Sequence, residues 1–259
     1  MNLLDAIILG IIEGLTEFLP ISSTGHLILA SKLLGLEQTN VHRTFEVAIQ
    51  LGAILAVVVL FRNKIFTSIN LWKKLIVAFI PTGILGLVFH KQVEALFNPV
   101  VVATMLIIGG IIFIILEYFY KSKEHHVSNT DDISYKQALI IGLAQSVAMV
   151  PGTSRSGATI IGGLLVGLQR KTAAEFSFLL AVPTMMAATA FTVVKHHNSF
   201  SFSNWEFLLA GFFTAFVVAL ITMKGFMAFI SKFNFIPFGI YRIIIGIGYL
   251  LKETCVISL

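Results

Sequence analysis

Charge is scarce in this chain. Of 259 residues only 12% are Asp, Glu, Lys or Arg, against roughly 25% in an ordinary soluble domain. Apolar residues make up 57% and the mean hydropathy is +0.92, which excludes a water-soluble enzyme. Cysteine is nearly absent: Cys255 stands alone, so no intrachain disulfide forms and redox chemistry says nothing about compartment. A basic patch is missing too. The 18 Lys and Arg lie mostly singly or in pairs between apolar runs; this pattern excludes nucleic-acid binding and makes the net charge a matter of membrane orientation. No Lys or Arg precedes the first apolar run, which carries Asp5. The basic region of a cleaved signal peptide is therefore lacking, and residue 1 is expected to stay attached.

What the chain does have is apolar stretches, at about 3–19, 26–36, 45–61, 75–89, 100–119, 136–150, 157–169, 176–194, 206–223 and 235–251. A helix needs about 20 residues to cross a bilayer. By that measure 26–36 and 157–169 are far too short, and 3–19 and 136–150, which lead into them, are marginal. Each short stretch is joined to its predecessor by a helix-breaking polar insert, Pro20 to Gly25 in one case and Pro151 to Gly157 in the other. Irregular backbone at membrane depth must be shielded by protein or line a wet cavity. The sequence therefore predicts an all-α polytopic membrane protein of about six transmembrane helices plus two re-entrant helical hairpins enclosing a polar site.

Lys and Arg gather in cytoplasmic loops, which marks the segment holding Arg62, Lys64, Lys73 and Lys74 as inside. The loop near Lys91 then falls outside, Lys121 and Lys123 inside, Lys195 outside, and Lys224 with Lys232 inside. Arg170 and Lys171 fall inside only if 136–169 enters and leaves on one face. The result is an inverted-topology repeat: repeat 1 over about 1–120, a linker over about 121–135 and repeat 2 over about 136–259, in a single integral membrane domain. Aligning 9–28 with 141–160 agrees weakly, pairing Gly10 with Gly142, Ser22 with Ser154, Gly25 with Gly157, Ile28 with Ile160, and setting Glu13 against Gln145.

Glu13 and Glu17 are four residues apart, on one face of the first helix about a turn from the break. Ionisable groups inside a membrane are costly and default to function, and two close carboxylates call for a raised pKa or a cation between them. Ser22-Ser23-Thr24-Gly25-His26 and Thr153-Ser154-Arg155-Ser156-Gly157 each open an apolar helix. Hydroxyls and backbone N–H groups at a helix N-terminus suit an anion, and Arg adds a planar fork for phosphate oxygens. Capping by the hydroxyls and neutralisation of Glu13 or Glu17 by Arg155 is the competing reading; it is disfavoured, because capping alone needs neither the Arg nor the His. His125-His126 and His196-His197 read as solvated loop residues. Gly109-Gly110 and Gly162-Gly163 read as close helix contacts, and Pro81 and Pro183 as kinks.

The two motifs, Glu13-Gly-Leu-Thr-Glu17-Phe-Leu-Pro-Ile-Ser-Ser-Thr-Gly-His26 and Pro151-Gly-Thr-Ser-Arg155-Ser-Gly-Ala-Thr159, closely resemble those of the bacterial undecaprenyl-diphosphate phosphatases, the membrane family linked to bacitracin resistance. The similarity spans nearly the whole chain. It implies an inner-membrane enzyme, multi-pass and homodimeric, that removes the terminal phosphate of a polyprenyl diphosphate lipid with help from a divalent cation, Mg2+ or Ca2+. Ser23, His26 or a metal-bound water can be the nucleophile. Ser23 is favoured, because it sits where helix N-terminal donors gather phosphate and Glu17 can take its proton. Arg155 then holds phosphoryl charge, Glu13 and Glu17 hold the cation, and His26 protonates the leaving group or steadies the pentacoordinate oxygens; Ser22, Thr24, Ser154, Ser156 and Thr159 contact phosphate. Type 2 phosphatidic acid phosphatases share a Ser-Gly-His-like element, but they need a second His soon after the Ser-Arg pair, and Ser-Gly-Ala-Thr-Ile follows here. Inverted repeats with broken helices are also a transporter signature, so a flippase of lipid phosphate or a carrier of a small anion is the alternative.

Overall fold

A computed structural model describes residues 1–37, 39–120, 126–195 and 205–257. Lys121, Lys123 and His125 of the linker, and His196, His197 and Asn198 of the 195–205 loop, lie outside the described residues. The protein is all-α. Its helices are α1 (Leu3–Thr16), α2 (Ser23–Leu33), α3 (Asn40–Leu60), α4 (Arg62–Thr67), α5 (Ile69–Ala95), α6 (Pro99–Phe119), α7 (Tyr135–Val147), α8 (Arg155–Leu165), α9 (Arg170–Lys195), α10 (Trp205–Ile230) and α11 (Ile236–Ile257). Five of them, α3, α5, α6, α9 and α10, are long and apolar enough to cross a membrane. α11 is equally long but carries Arg242 in its middle. Exposed apolar side chains such as Ile84, Leu87, Ile115, Ile221 and Ile244 stud the outer faces, as a lipid solvent requires.

The short helices α1, α2, α7 and α8 owe their lengths to local chemistry. α1 starts with a reciprocal cap, the Asn2 side chain accepting from the Asp5 N–H while Asp5 accepts from the Asn2 N–H; α7 starts with the same device from Ser134 and Gln137. Each then breaks. Past the breaks, α2 and α8 begin immediately after Ser22 and Ser154, whose φ values of 71° and 75° are the only positive ones among described non-glycine residues. A left-handed residue with a Cβ costs about 1–2 kcal/mol, and the same serine carries it at both aligned positions.

Charge gathers at one end of the bundle, but not in a loop. Arg62 and Lys64 lie on α4 and Lys73 and Lys74 on α5, so the segment expected to be a cytoplasmic loop is helical. Lys64 pairs with Glu175 and buried Lys74 donates to the Asp131 carbonyl, so their charge is accommodated by partners from later in the chain. At the same end Glu117, its side chain fully buried, takes a two-pronged bond from Arg170 at 2.9 and 2.5 Å and a third from the Phe235 N–H at 3.0 Å. At the opposite end Lys195 pairs with Glu94. α5 and α9 run through Pro81 and Pro183 without interruption.

The packing pairs match across the two halves. α1 lies on α10 and α7 on α5, while α6 and α11 lie on each other. Gly10 faces Gly211 and Gly14 faces Val218, so α1 runs parallel to α10. Gly142 faces Ala78 and Ser146 meets Thr82, so α7 runs parallel to α5. α5 starts at the Lys64 end; α10 starts at the other end and finishes beside Arg170. α1 and α7 therefore enter the bundle from opposite ends. Gly162 and Gly163 allow the close contacts expected of them, against Ala144 and Ala173.

A Cβ on Gly14 would lie 2.7 Å from Val218 Cβ and 2.8 Å from the Ala215 carbonyl. Gly14→Leu is expected to force α1 off α10 and to destabilise by about 1–3 kcal/mol, the usual cost of overpacking. A thermal melt of the detergent-solubilised protein followed by size exclusion checks this; an unchanged midpoint would contradict the α1–α10 contact.

Candidate active site

The site is assembled from the end of α1, the start of α2 and the start of α8. Glu13 and Glu17 sit one turn apart at the C-terminal end of α1, with relative exposures of 2% and 9%. Glu17 uses both oxygens: Oε2 accepts from the Ser23 hydroxyl at 2.5 Å and Oε1 accepts from Arg155 Nη2 at 3.0 Å. Three residues singled out in the sequence thus form one line, Ser23 to Glu17 to Arg155, bridging 138 positions of chain. Arg155 Nη1 donates to the Ser177 carbonyl at 2.8 Å, and its guanidinium carbon stands 5.8 Å from the centre of the Phe18 ring. Its Nε is buried with no partner, as is the hydroxyl of Thr153. Buried donors left unpaired in a native fold call for an explanation, of which a catalytic role or a bound ion or water is one.

The two helix starts differ. Ser154 caps α8 by accepting from the Gly157 N–H at 3.1 Å. Ser22 makes no such bond, which leaves the first turn of α2 without a side-chain cap. Donors of the α2 N-terminus stay available to an anion beside Ser23.

Other hydroxyls expected at phosphate make hydrogen bonds within the protein. Ser156, fully buried, donates to the Leu19 carbonyl across the two breaks at 2.8 Å and sits 3.1 Å from Ser154 Oγ. Thr159 lies within bonding distance of the Arg155 and Ser156 carbonyls and 2.6 Å from the Ser177 hydroxyl. Thr24 is exposed and Ser22 buried. His26 does not join the line of Ser23, Glu17 and Arg155. Its Nδ1 lies 2.8 Å from the Ser22 carbonyl, which can only accept, so Nδ1 carries the proton; Nε2 of the neutral ring then accepts from the Tyr241 hydroxyl, also at 2.8 Å. The two rings stack at 5.6 Å and 5°. Tyr241 and its neighbour Arg242 were not legible as site residues, because both lie inside an apolar run. The only signal was an unpaired charge in that run.

Glu13 and Glu17 are the residues able to hold a cation. Among the described residues no group of three or more His, Cys, Asp or Glu side chains forms a preassembled metal cage. A carboxylate pair suits an ion that completes its shell with substrate oxygens, as Mg2+ commonly does.

Tyr241→Phe keeps the stacked ring and removes the donor to Nε2. The expected result is a fixed Nδ1–H tautomer of His26 in the parent protein and a mixture in the variant. The imidazole 15N shifts, assigned by difference with His26→Gln, check it; identical shifts in parent and variant would refute the bond.

A family model described as bacitracin resistance protein BacA matches residues 6–248. The chain is 62% identical over 251 residues to an undecaprenyl-diphosphatase of Persephonella marina, covering 97% of this chain and 99% of that protein. It is 58% identical over 250 residues to an undecaprenyl-diphosphatase of Wolinella succinogenes, covering 96% and 98%, and 56% identical over 247 residues to one of Campylobacter jejuni, covering 95% and 92%. The two helix breaks and the Ser23, Glu17 and Arg155 they bring together all fall within the matched span, and the chain belongs to the bacitracin resistance protein BacA family.

Proposed function

We propose that this protein hydrolyses undecaprenyl diphosphate to undecaprenyl phosphate and inorganic phosphate in the inner membrane of a bacterium, returning the lipid carrier for cell-wall synthesis and conferring bacitracin resistance. The observation that carries this reading is the hydrogen bond from Ser23 to Glu17 at an uncapped helix N-terminus, with Arg155 on the same carboxylate. A nucleophile paired with its base and a third group orienting that base is the arrangement nucleophilic catalysis needs.

Ser23 Oγ attacks the terminal phosphorus while its proton passes to Glu17. The bridging P–O bond breaks, and the prenyl monophosphate leaves with the electron pair. Arg155, with Nε free, holds the equatorial oxygens where charge develops. Glu17 gives that proton to the departing monophosphate; water then cleaves the phosphoserine, Glu17 takes the water's proton and returns it to Ser23 Oγ, and inorganic phosphate departs. The uncapped amides of α2 orient the phosphate throughout. Glu13, with Glu17, would hold Mg2+ or Ca2+, which when bound neutralises diphosphate charge. Ser154, Ser156 and Thr159 fix the second break, and His26, held by Ser22 and Tyr241, borders the leaving-group side.

A pure anion carrier or lipid flippase requires an anion site but no serine bonded to a carboxylate, so hydrolysis is favoured over transport. The entry of α1 and α7 from opposite ends and the matched packing of the halves support an inverted repeat with two re-entrant hairpins. Homodimerisation belongs to the proposal on family grounds.

In detergent, where no gradient exists, the purified protein is expected to release phosphate from the lipid diphosphate. Ser23→Ala should abolish release, and rapid quenching of the parent should trap a phosphoserine; Arg155→Lys should fold but lose about two to three orders of magnitude in turnover, as when other transition-state donors are removed. Substantial turnover by Ser23→Ala would point to attack by water, and no release at any Mg2+ or Ca2+ concentration would favour transport.

Stripping divalent ions with a chelator should stop the reaction and readdition restore it. Glu13→Gln should raise the Mg2+ concentration needed for half-maximal rate; an unchanged requirement would remove Glu13 from the cation site.

A further inference from the structure

One arginine lies fully buried in the middle of an apolar helix, Arg242 on α11, at 0% exposure. A charge placed there needs compensation, and among the described residues no carboxylate pairs with it. Four carbonyls do. Nε donates to Leu106 at 3.2 Å and Nη2 to Met105 at 3.0 Å, both on α6. Nη1 donates to Pro20 at 3.1 Å, inside the first break, and Nη2 also donates to Gly152 at 3.1 Å, inside the second. These last two carbonyls lie just past the C-terminal ends of α1 and α7, where helix dipoles leave negative potential. The cation is thus accommodated by the same broken helices it joins.

The surroundings are built for it. Gly109 of α6 lies directly against the guanidinium, and a Cβ there would overlap it. The Gly109-Gly110 pair, which reads from sequence as a helix-packing element, divides its work: Gly110 faces the Gly239 carbonyl of α11, and Gly109 makes room for Arg242. The Cβ position of Gly157, in the first turn of α8, is 3.3 Å from Nη1. One guanidinium thus touches both breaks and borders the start of the helix that carries Arg155.

We propose that Arg242 is a positioning residue of the site, a guanidinium on α11 that holds the two helix breaks against each other and so sets where Arg155 meets Glu17 and Ser23. It is distinct from Arg155 in touching no reacting group. A Lys cannot substitute, because an ammonium is a single point and the four acceptors need a planar fork. Only the kinetic arm of the test rests on the phosphatase reading; the distance arm does not.

The full chain, with Cys255→Ser and spin labels at Leu33 and Leu165, exposed residues at the far ends of α2 and α8, is reconstituted in lipid nanodiscs. The label-to-label distance distribution and the hydrolysis of lipid diphosphate are measured for the parent, Arg242→Lys, Arg242→Gln and Gly109→Ala. Gly109→Ala displaces the guanidinium while keeping its charge. A narrow parental distribution should broaden in all three variants. kcat should fall about 100-fold in Arg242→Gln, as an ångström of misplacement can cause, with KM changed less than threefold. An unbroadened distribution in Arg242→Lys and Gly109→Ala would overturn the proposal. So would a lowered melting point with kcat per folded molecule unchanged, or a rise in KM at constant kcat. If the parent releases no phosphate, the functional reading fails and the distances alone decide the role of Arg242.

Discussion

A helix that breaks inside a protein leaves carbonyls that must find other donors, and the site of this protein depends on how they are satisfied. Leu19 and Pro20 lie in one break and Gly152 in the other. The first receives the Ser156 hydroxyl and the other two the Arg242 guanidinium. Each donor comes from a distant part of the chain, so satisfying the backbone and joining the two breaks are the same event. Once they are joined, Arg155 falls on the carboxylate that also takes the Ser23 hydroxyl.

The two breaks are alike in backbone and different in chemistry. Each has a serine at positive φ followed at once by a helix of 11 residues, yet the first helical residue is Ser23 in one and Arg155 in the other. The position of Glu13 is held by Gln145, which bonds neutrally with Thr82 and Thr184, and that of Glu17 by Met149. One helix start is closed by its own serine and the other left open. The electrostatic consequence is a single polar centre that draws its carboxylates from one half and its fork from the other.

Much of this was legible in the sequence because it is local. Proline, glycine and hydroxyl residues between two undersized apolar runs can only be a break, and two carboxylates four apart on one helix must share a face. The line of Ser23, Glu17 and Arg155 was within reach, since all three lie in the motifs. What stayed hidden is long-range. Arg242 meets the Pro20 carbonyl across 222 positions, and an arginine amid isoleucines shows neither its partners nor the space Gly109 leaves for it. The bonds that Ser154, Ser156 and Thr159 make to the backbone were equally hidden, because composition cannot tell a hydroxyl facing a cavity from one bonded to backbone. Lys74 read as a loop residue for a related reason: the Asp131 carbonyl that receives its ammonium comes from 57 positions further along the chain.

The seating of α1 on α10 also has a consequence for biogenesis. The face of α1 that carries Gly10 and Gly14 meets Gly211 and Val218, roughly two hundred residues further along the chain. At ribosomal rates of about 5–20 residues per second, the first helix waits on the order of 10–40 s for its partner to be made. Through that interval a segment holding Glu13 and Glu17 has no α10 to lie on, and for about the first two thirds of it, until chain 138 positions past Glu17 has been made, no Arg155 to meet. Assembly of the polar centre therefore comes late in synthesis, long after the acidic first helix has been made.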